Sequence, residues 1–284
     1  MFNVPTLREK AITVRVRRSM YTPTKYDRAA TAAAEAALGT AKTGRYTKKL
    51  LRTCKELRDC QHAFQDVYNY AVQNTLPWMD EGVRVLPNGN YIEFAAEIGR
   101  LRNVAMQKVQ ALATVWDTAV MADKGFLGGM WSLSDYPTKA EMVAKWDISI
   151  MFAPVPVSDD FRIDMDEADK QLLDNAINEV ESKATDYLLK QILEPVVAMA
   201  DKLSIPIGDE GAIFRDSLVG NLQDVCKRAR KLNINNDERV DEIAGEIEKA
   251  LENITAQTLR ESDYVRDTTA KRMDEISKKL NQWF

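Results

Sequence analysis

The chain has 284 residues, 45% hydrophobic and 29% charged, a composition that excludes a disordered protein. No apolar run reaches the roughly 18 residues of a membrane span, and Met1 to Lys10 lacks the apolar stretch of a secretory signal. Three scattered cysteines (Cys54, Cys60, Cys226) exclude a disulfide framework and point to a reducing cytoplasm, while the net charge of −4 conceals a split. Residues 1–60 hold 14 Lys and Arg against 5 Asp and Glu, a net of +9, and the remainder nets −13. Such asymmetry fits a polyanion-binding arm or a basic region that docks on an acidic one.

Taken in chain order, Ile12, Val14 and Val16 alternate with Thr13, Arg15 and Arg17, the period of a half-buried strand. An irregular connection with Pro23 follows, then an alanine-rich helix from Ala29 to Leu38 that Gly39 ends. Thr40 to Tyr46 reads as a mobile basic loop. From Thr47 a long helix is predicted, with Leu50, Cys54, Leu57, Phe64, Val67 and Ala71 on its apolar stripe. Residues 78–91 read as a loop with a Pro-Asn-Gly turn. A second long helix carries Ile98, Leu101, Ala105, Val109, Leu112, Trp116 and Ala119, and Gly125, Gly128 and Gly129 end it. Thr138 and Glu141 form a capping box for a short helix over residues 139–146.

The period then changes. Ile148, Ile150 and Phe152 alternate, as do Phe161, Ile163 and Met165, predicting two strands that join the first in a three-stranded antiparallel sheet. Beyond Asp166 the pattern is helical. Leu173, Ile177, Val180, Ala184, Leu188 and Ile192 form one stripe, interrupted or kinked at Pro195. A helix is expected over Ala212 to Leu232, and Asn235 with Glu238 suggests a second capping box. The stripes Val240 to Ile254 and Met273 to Leu280 suit antiparallel or coiled-coil-like packing, and present enough apolar surface to suggest a homo-oligomer. Trp283 and Phe284 read as the end of the last stripe or, alternatively, as an aromatic docking tag. The expected fold class is therefore α+β, mainly α: a small three-stranded sheet on long helices in residues 1–165, followed by a helical hairpin or coiled-coil-like domain in residues 166–284.

No pattern supports catalysis or a cofactor. Cys54 and Cys60 diverge by 240° on a helix at 100° per residue, and His62 is the chain's one histidine, so no zinc site forms. Among the acids Asp159, Asp160, Asp164, Asp166 and Glu167, Asp160 and Asp164 flank Arg162 on one strand face, and the last two suit a helix start. The segment ALGTAKTGRYTKKL lacks the spacing of a phosphate-cradling loop. What remains is a basic-aromatic set: Arg15, Arg17, Arg18, Tyr21, Lys25, Tyr26, Arg28, Lys42, Arg45, Tyr46, Lys48 and Lys49. Cations neutralise phosphates and planar rings stack bases, the logic of sequence-tolerant single-strand binding. The same surface could instead dock acidic protein.

The stretches TLPWMDEGVRVLP (75–87), LGGMWSLSDYP (127–137), FAPVPVSDDFRIDM (152–165) and KLNINNDERVDEI (231–243) resemble a phage and integrative-element family defined by a domain of unknown function. The resemblance implies a setting among DNA-metabolism genes, sometimes beside a MoxR-like AAA+ ATPase, in the cytoplasm of an infected bacterial host. The expected function is non-catalytic binding of nucleic acid, single-stranded DNA in particular, by an oligomer in replication or recombination. The alternative is a structural or adaptor protein that self-assembles, or partners an AAA+ ATPase, through its helices.

Overall fold

Apolar stripes at three- and four-residue spacing turn most of this chain into helices, and a few short β segments complete it. The computed structural model describes residues 6–78, 82–156, 166–209 and 216–284, which are mainly helical with a small antiparallel sheet. Its elements are α1 (Leu7–Lys10), β1 (Ala11–Ser19), β2 (Thr24–Tyr26), α2 (Arg28–Leu38), β3 (Thr47–Lys49), α3 (Lys55–Gln73), β4 (Leu76–Pro77) and β5 (Arg84–Pro87). These are followed by α4 (Tyr91–Leu127), α5 (Lys139–Ala144), β6 (Asp147–Pro154), α6 (Glu167–Leu203), α7 (Ser217–Leu232), α8 (Glu238–Ala250), α9 (Ala256–Glu261) and α10 (Asp263–Asn281).

Packing divides the chain into two interleaved units: Met1–Arg15, Val72–Ile92 and Met151–Phe284 form the first, Val16–Ala71 and Glu93–Ile150 the second. The sequence suggested a single boundary after residue 165, and the packing follows different boundaries.

In the first unit, β1 pairs antiparallel with β5 in the register Ala11↔Pro87 to Val14↔Arg84, and β5 pairs antiparallel with β4. The strand order β4-β5-β1-β6 gives four strands where three were expected. β5 falls in the segment read as a loop and β4 just before it, both being too short to show a period. The expected strand over residues 161–165 lies outside the described residues, as do Arg162, Asp159, Asp160 and Asp164. The alternation in β1 is blurred, because Thr13 is buried and its hydroxyl donates to the Ala153 carbonyl at 3.0 Å.

Around this sheet lies a helical core. Leu188, Leu189, Ile192, Val196 and Met199 of α6 pack with Leu222 and Cys226 of α7, Val240, Ile243 and Ile247 of α8, and Met273, Ile276 and Leu280 of α10. Asp166 caps α6 by accepting from the Asp169 amide at 2.8 Å, as the acids at that point suggested. The helix then runs through Pro195 to Leu203 without interruption, forfeiting the one bond that proline cannot donate. α10 runs antiparallel to α6: Arg266 near its start reaches the Lys202 and Leu203 carbonyls, and Phe284 just past its end lies under Lys190. The stripes that suggested an oligomer, from Val240 through Leu280, are buried within the chain, apart from the half-buried Ile254. The capping box at Asn235 does not form. Asp237 caps α8 instead, accepting from the Arg239 amide at 3.0 Å, while the Asn235 amide donates to the Glu181 carbonyl at 2.8 Å.

In the second unit, α3 and α4 supply the core through Phe64, Val67, Phe94, Ile98, Val109, Leu112 and Trp116. α4 passes Gly125 and stops at Gly128, whose left-handed φ of 53° suits a residue without Cβ. The Thr138–Glu141 capping box forms as predicted. The helix expected from Thr47 starts only at Lys55; residues 47–49 are strand β3 instead. Among the described residues no helix is long and apolar enough to cross a membrane.

Candidate nucleic-acid interface

Strands β2 and β3 form a separate two-stranded antiparallel ribbon, in the register Thr24↔Lys49, Lys25↔Lys48 and Tyr26↔Thr47. Facing residues of an antiparallel pair share a side, so Lys25 and Lys48 point one way and Thr24, Tyr26, Thr47 and Lys49 the other. The excursion between the strands is anchored at both ends. Asp27 caps α2 by accepting from the Ala30 amide at 2.9 Å, and its own N–H donates to the Tyr46 carbonyl at 3.0 Å. The Tyr46 amide donates to the Thr31 hydroxyl at 3.0 Å, so the backbone that carries this ring is held on both sides. α2 ends at Gly39, in the left-handed conformation, and the Lys42 amide returns to the Glu35 carboxylate at 2.6 Å. Residues 40–46, read as a mobile loop, are thus hydrogen-bonded near both ends.

Lys48 occupies a place that its charge alone does not suggest. It is 6% exposed, and its ammonium lies 2.7 Å from Asp135, 3.1 Å from Asp27 and 2.7 Å from the Met130 carbonyl, to which it donates. Burial pushes its pKa down, but the hydrogen bonds and charges of Asp135 and Asp27 outweigh that, so the net direction is up. Asp27 moves the opposite way: the Ala30 amide, and then Lys48, hold its carboxyl below the usual range. Lys48 is therefore a buried structural cation and not a phosphate ligand.

The other expected site residues divide three ways. Tyr21 is buried against Trp116, with ring centroids 5.6 Å apart, so it cannot stack on a base. Burial, with the charge of Asp123 behind it, pushes its phenol up to about 12. Arg18 is engaged by α3: its guanidinium donates to Gln65 Oε1 at 2.7 Å and lies 4.5 Å from the Tyr68 ring centroid. Arg15 belongs to the first unit, half-buried and with an interaction partner of its own. Lys25, Tyr26, Arg28, Lys42, Arg45, Tyr46 and Lys49 are exposed on the excursion, and Arg17 is exposed on β1. Arg45 lies over the Tyr26 ring at 4.6 Å, a cation–π pair on the outward face of the ribbon. Arg28 sits in the first turn of α2, where the helix dipole disfavours a cation.

No protein-family model, curated protein or solved structure matches this chain. The site is therefore read from its own chemistry.

Elsewhere the chemistry is sparse. Among the described residues no three His, Cys, Asp or Glu side chains gather as a metal would require. Cys60 is buried on α3 while His62, two residues on, is exposed. Burial pushes the Cys60 thiol up to about 12, away from nucleophilic thiolate. In the first unit an apolar groove of about 500 Å³ is lined by Ile12, Asn88, Tyr91, Phe152, Ala153 and Pro154. Its one amide, on Asn88, already donates to the Glu9 carbonyl at 2.9 Å, so no convergent polar groups are offered to a ligand.

Sequence reasoning missed Asp123, which lies 1% exposed on α4 and accepts from the Leu51 amide at 2.8 Å and the Tyr136 hydroxyl at 2.5 Å. It holds Leu51 in a left-handed conformation, φ 55°, that a bulky residue adopts only under constraint. The signal was present: Asp123 continues the apolar series Leu112, Trp116, Val120 at helical spacing.

Proposed function

We propose that the protein binds nucleic acid without catalysis, taking single-stranded DNA on the β2–β3 ribbon, in a phage-type replication or recombination setting. The observation that carries the reading is the outward face of the ribbon. Arg45 lies over Tyr26 at 4.6 Å, with Lys49 on the same side of the ribbon, Arg28 and Tyr46 exposed next to it in the chain, and Lys25 exposed on the ribbon's other side. Residues 24–49 hold six cations against two acids, Asp27 and Glu35, and one of those acids is engaged by the buried Lys48. The exposed cations suit phosphates, and the two exposed tyrosines suit unpaired bases.

The test is binding of a labelled single-stranded oligonucleotide across a salt series. Wild type is expected to lose affinity steeply as salt rises, because neutralised phosphates release counterions. The triple variant Lys25→Ala, Arg45→Ala, Lys49→Ala should bind more weakly with a flatter salt dependence. Lys48 is left out of that set because its removal would disturb the fold. Absence of binding by wild type at about 50 mM salt, where phosphate contacts are strong, would sink the reading. Capture of an AAA+ ATPase by the same ribbon, lost in the triple variant, would favour the adaptor alternative.

A further inference from the structure

Beside the ribbon, the end of α4 and the turns after it expose large apolar side chains. Phe126 is 64% exposed, Met130 38% and Leu133 61%. Single exposed apolar residues are ordinary, but Phe126 is held out by the last turn of α4, and Met130 and Leu133 by a turn that is fastened to the protein at several points. Trp131 donates from its indole to the Val120 carbonyl at 3.2 Å. Tyr136 donates to the buried Asp123. The third fastening is Lys48, which comes from the ribbon itself and holds the Met130 carbonyl and the Asp135 carboxylate. One lysine side chain thus separates β3 from the turn that presents Met130 and Leu133.

The charge around these residues selects the occupant. Between Lys124 and Ser134 the sequence contains no acid, and Asp135 is turned to Lys48. Lys124 lies 5.5 Å from the Trp131 ring centroid. The apolar side chains therefore have the exposed Lys124 on the α4 side, and on the ribbon side the exposed Lys25, which faces the neutralised Lys48 across the strand pair. An anionic chain with flat, weakly polar groups spaced along it meets both requirements. Apolar wedges of this kind lie against or between bases in nucleic-acid complexes.

We infer that the end of α4 and the turn after it, carrying Phe126, Met130 and Leu133, are the base-contacting part of this surface, while the ribbon supplies the phosphate contacts. In this arrangement Lys48 is a positioning residue: it touches no nucleic acid and sets the spacing between the two parts. The inference rests on the nucleic-acid reading above, and its test separates the two.

The probes are a fluorescein-labelled oligothymidylate and an abasic phosphodiester of equal length. The double variant Phe126→Ser, Leu133→Ser removes two exposed side chains, and unchanged thermal melting checks that the fold is kept. Its affinity for oligothymidylate is expected to fall roughly tenfold, the scale of losing one stacked base. Its salt slope and its affinity for the abasic probe should stay at wild-type values. The triple ribbon variant should show the reverse, a flatter slope with both probes. Equal binding of oligothymidylate by wild type and the double variant overturns the inference while leaving the nucleic-acid reading standing. A loss of equal size with both probes also overturns it, since a generic support would act that way. Failure of wild type to bind either probe defeats the underlying reading instead.

Discussion

Lys48 in the second unit and Arg266 in the first are both almost wholly buried cations, 6% and 3% exposed, yet they are neutralised by different means. Lys48 faces two carboxylates and one carbonyl, drawn from α2's cap and from the turn after α4. Arg266 donates to the Leu203 carbonyl at 3.0 Å and the Lys202 carbonyl at 2.9 Å, at the end of a 37-residue helix whose last carbonyls lack partners within it. A lysine is a point charge that pulls acids from several segments together, whereas the planar guanidinium spans two adjacent carbonyls. The first device orders loops near an exposed basic surface. The second finishes a helix at the edge of the apolar core, where the negative end of the helix dipole supplies part of the neutralisation.

The largest effect expected from this contrast is on Lys48→Met. It leaves Asp27 and Asp135 facing each other without a cation, and should destabilise the protein by about 3 kcal/mol, the scale for breaking a buried ion pair. Urea unfolding measures it, and a change below about 1 kcal/mol would show the cluster to be no better than a surface pair. Arg266→Met should cost about 2 kcal/mol, because two carbonyls lose their donors but lie at a helix end that water can partly reach. If Arg266→Met proves the more damaging of the two, the ranking of the devices is reversed.

A smaller and more diagnostic effect is the pH dependence. The folded-state pKa of Lys48 is raised, so its contribution is complete below the ordinary lysine value of 10.5 and is lost as pH rises through the raised value. Asp27 is lowered, so its contribution is complete above 3.8 and fades as pH falls through the lowered value. The stability gap between wild type and Lys48→Met should therefore be flat near neutrality and narrow at both extremes, as read by melting across pH. A gap that changes between pH 6 and 8 would implicate some other group. The smallest effect belongs to the exposed cations: Arg45→Ala with Lys49→Ala should move stability by no more than about 0.5 kcal/mol. A larger loss would mean that the outward face of the ribbon is structural.

The long elements were legible because helical stripes repeat over many turns. The end of α2 at Gly39, the capped start of α5 and the opening of α6 at Asp166 followed from local chemistry alone. The short strands were not legible, since two to four residues cannot display a period, and β5 exists only by pairing with β1 and β4 only by pairing with β5. The basic set was legible as composition, but not as exposure. Nothing adjacent to Lys48 announces that Asp135, 87 positions later, will enclose it. Arg266 did leave a trace, because it stands in register with Ala270, Met273, Ser277 and Leu280 on the buried face of α10. A charge on an apolar stripe, like Asp123 on α4, marks a buried polar contact that the rest of the chain must satisfy.

The interleaving of the two units has a consequence for the order in which the chain can be made and folded. Leu7 and Ala11 belong to a core whose other members begin at Leu76 and lie mostly beyond residue 183, and Lys10 pairs with Glu181, 171 positions away. At typical synthesis rates those partners leave the ribosome roughly 10–30 s after the N-terminal segment does. Every residue of the second unit, from Val16 to Ile150, has been synthesised before then. The basic ribbon and its clamped turn can thus form on the nascent chain while Leu7 and Ala11 still wait for most of the core that will cover them.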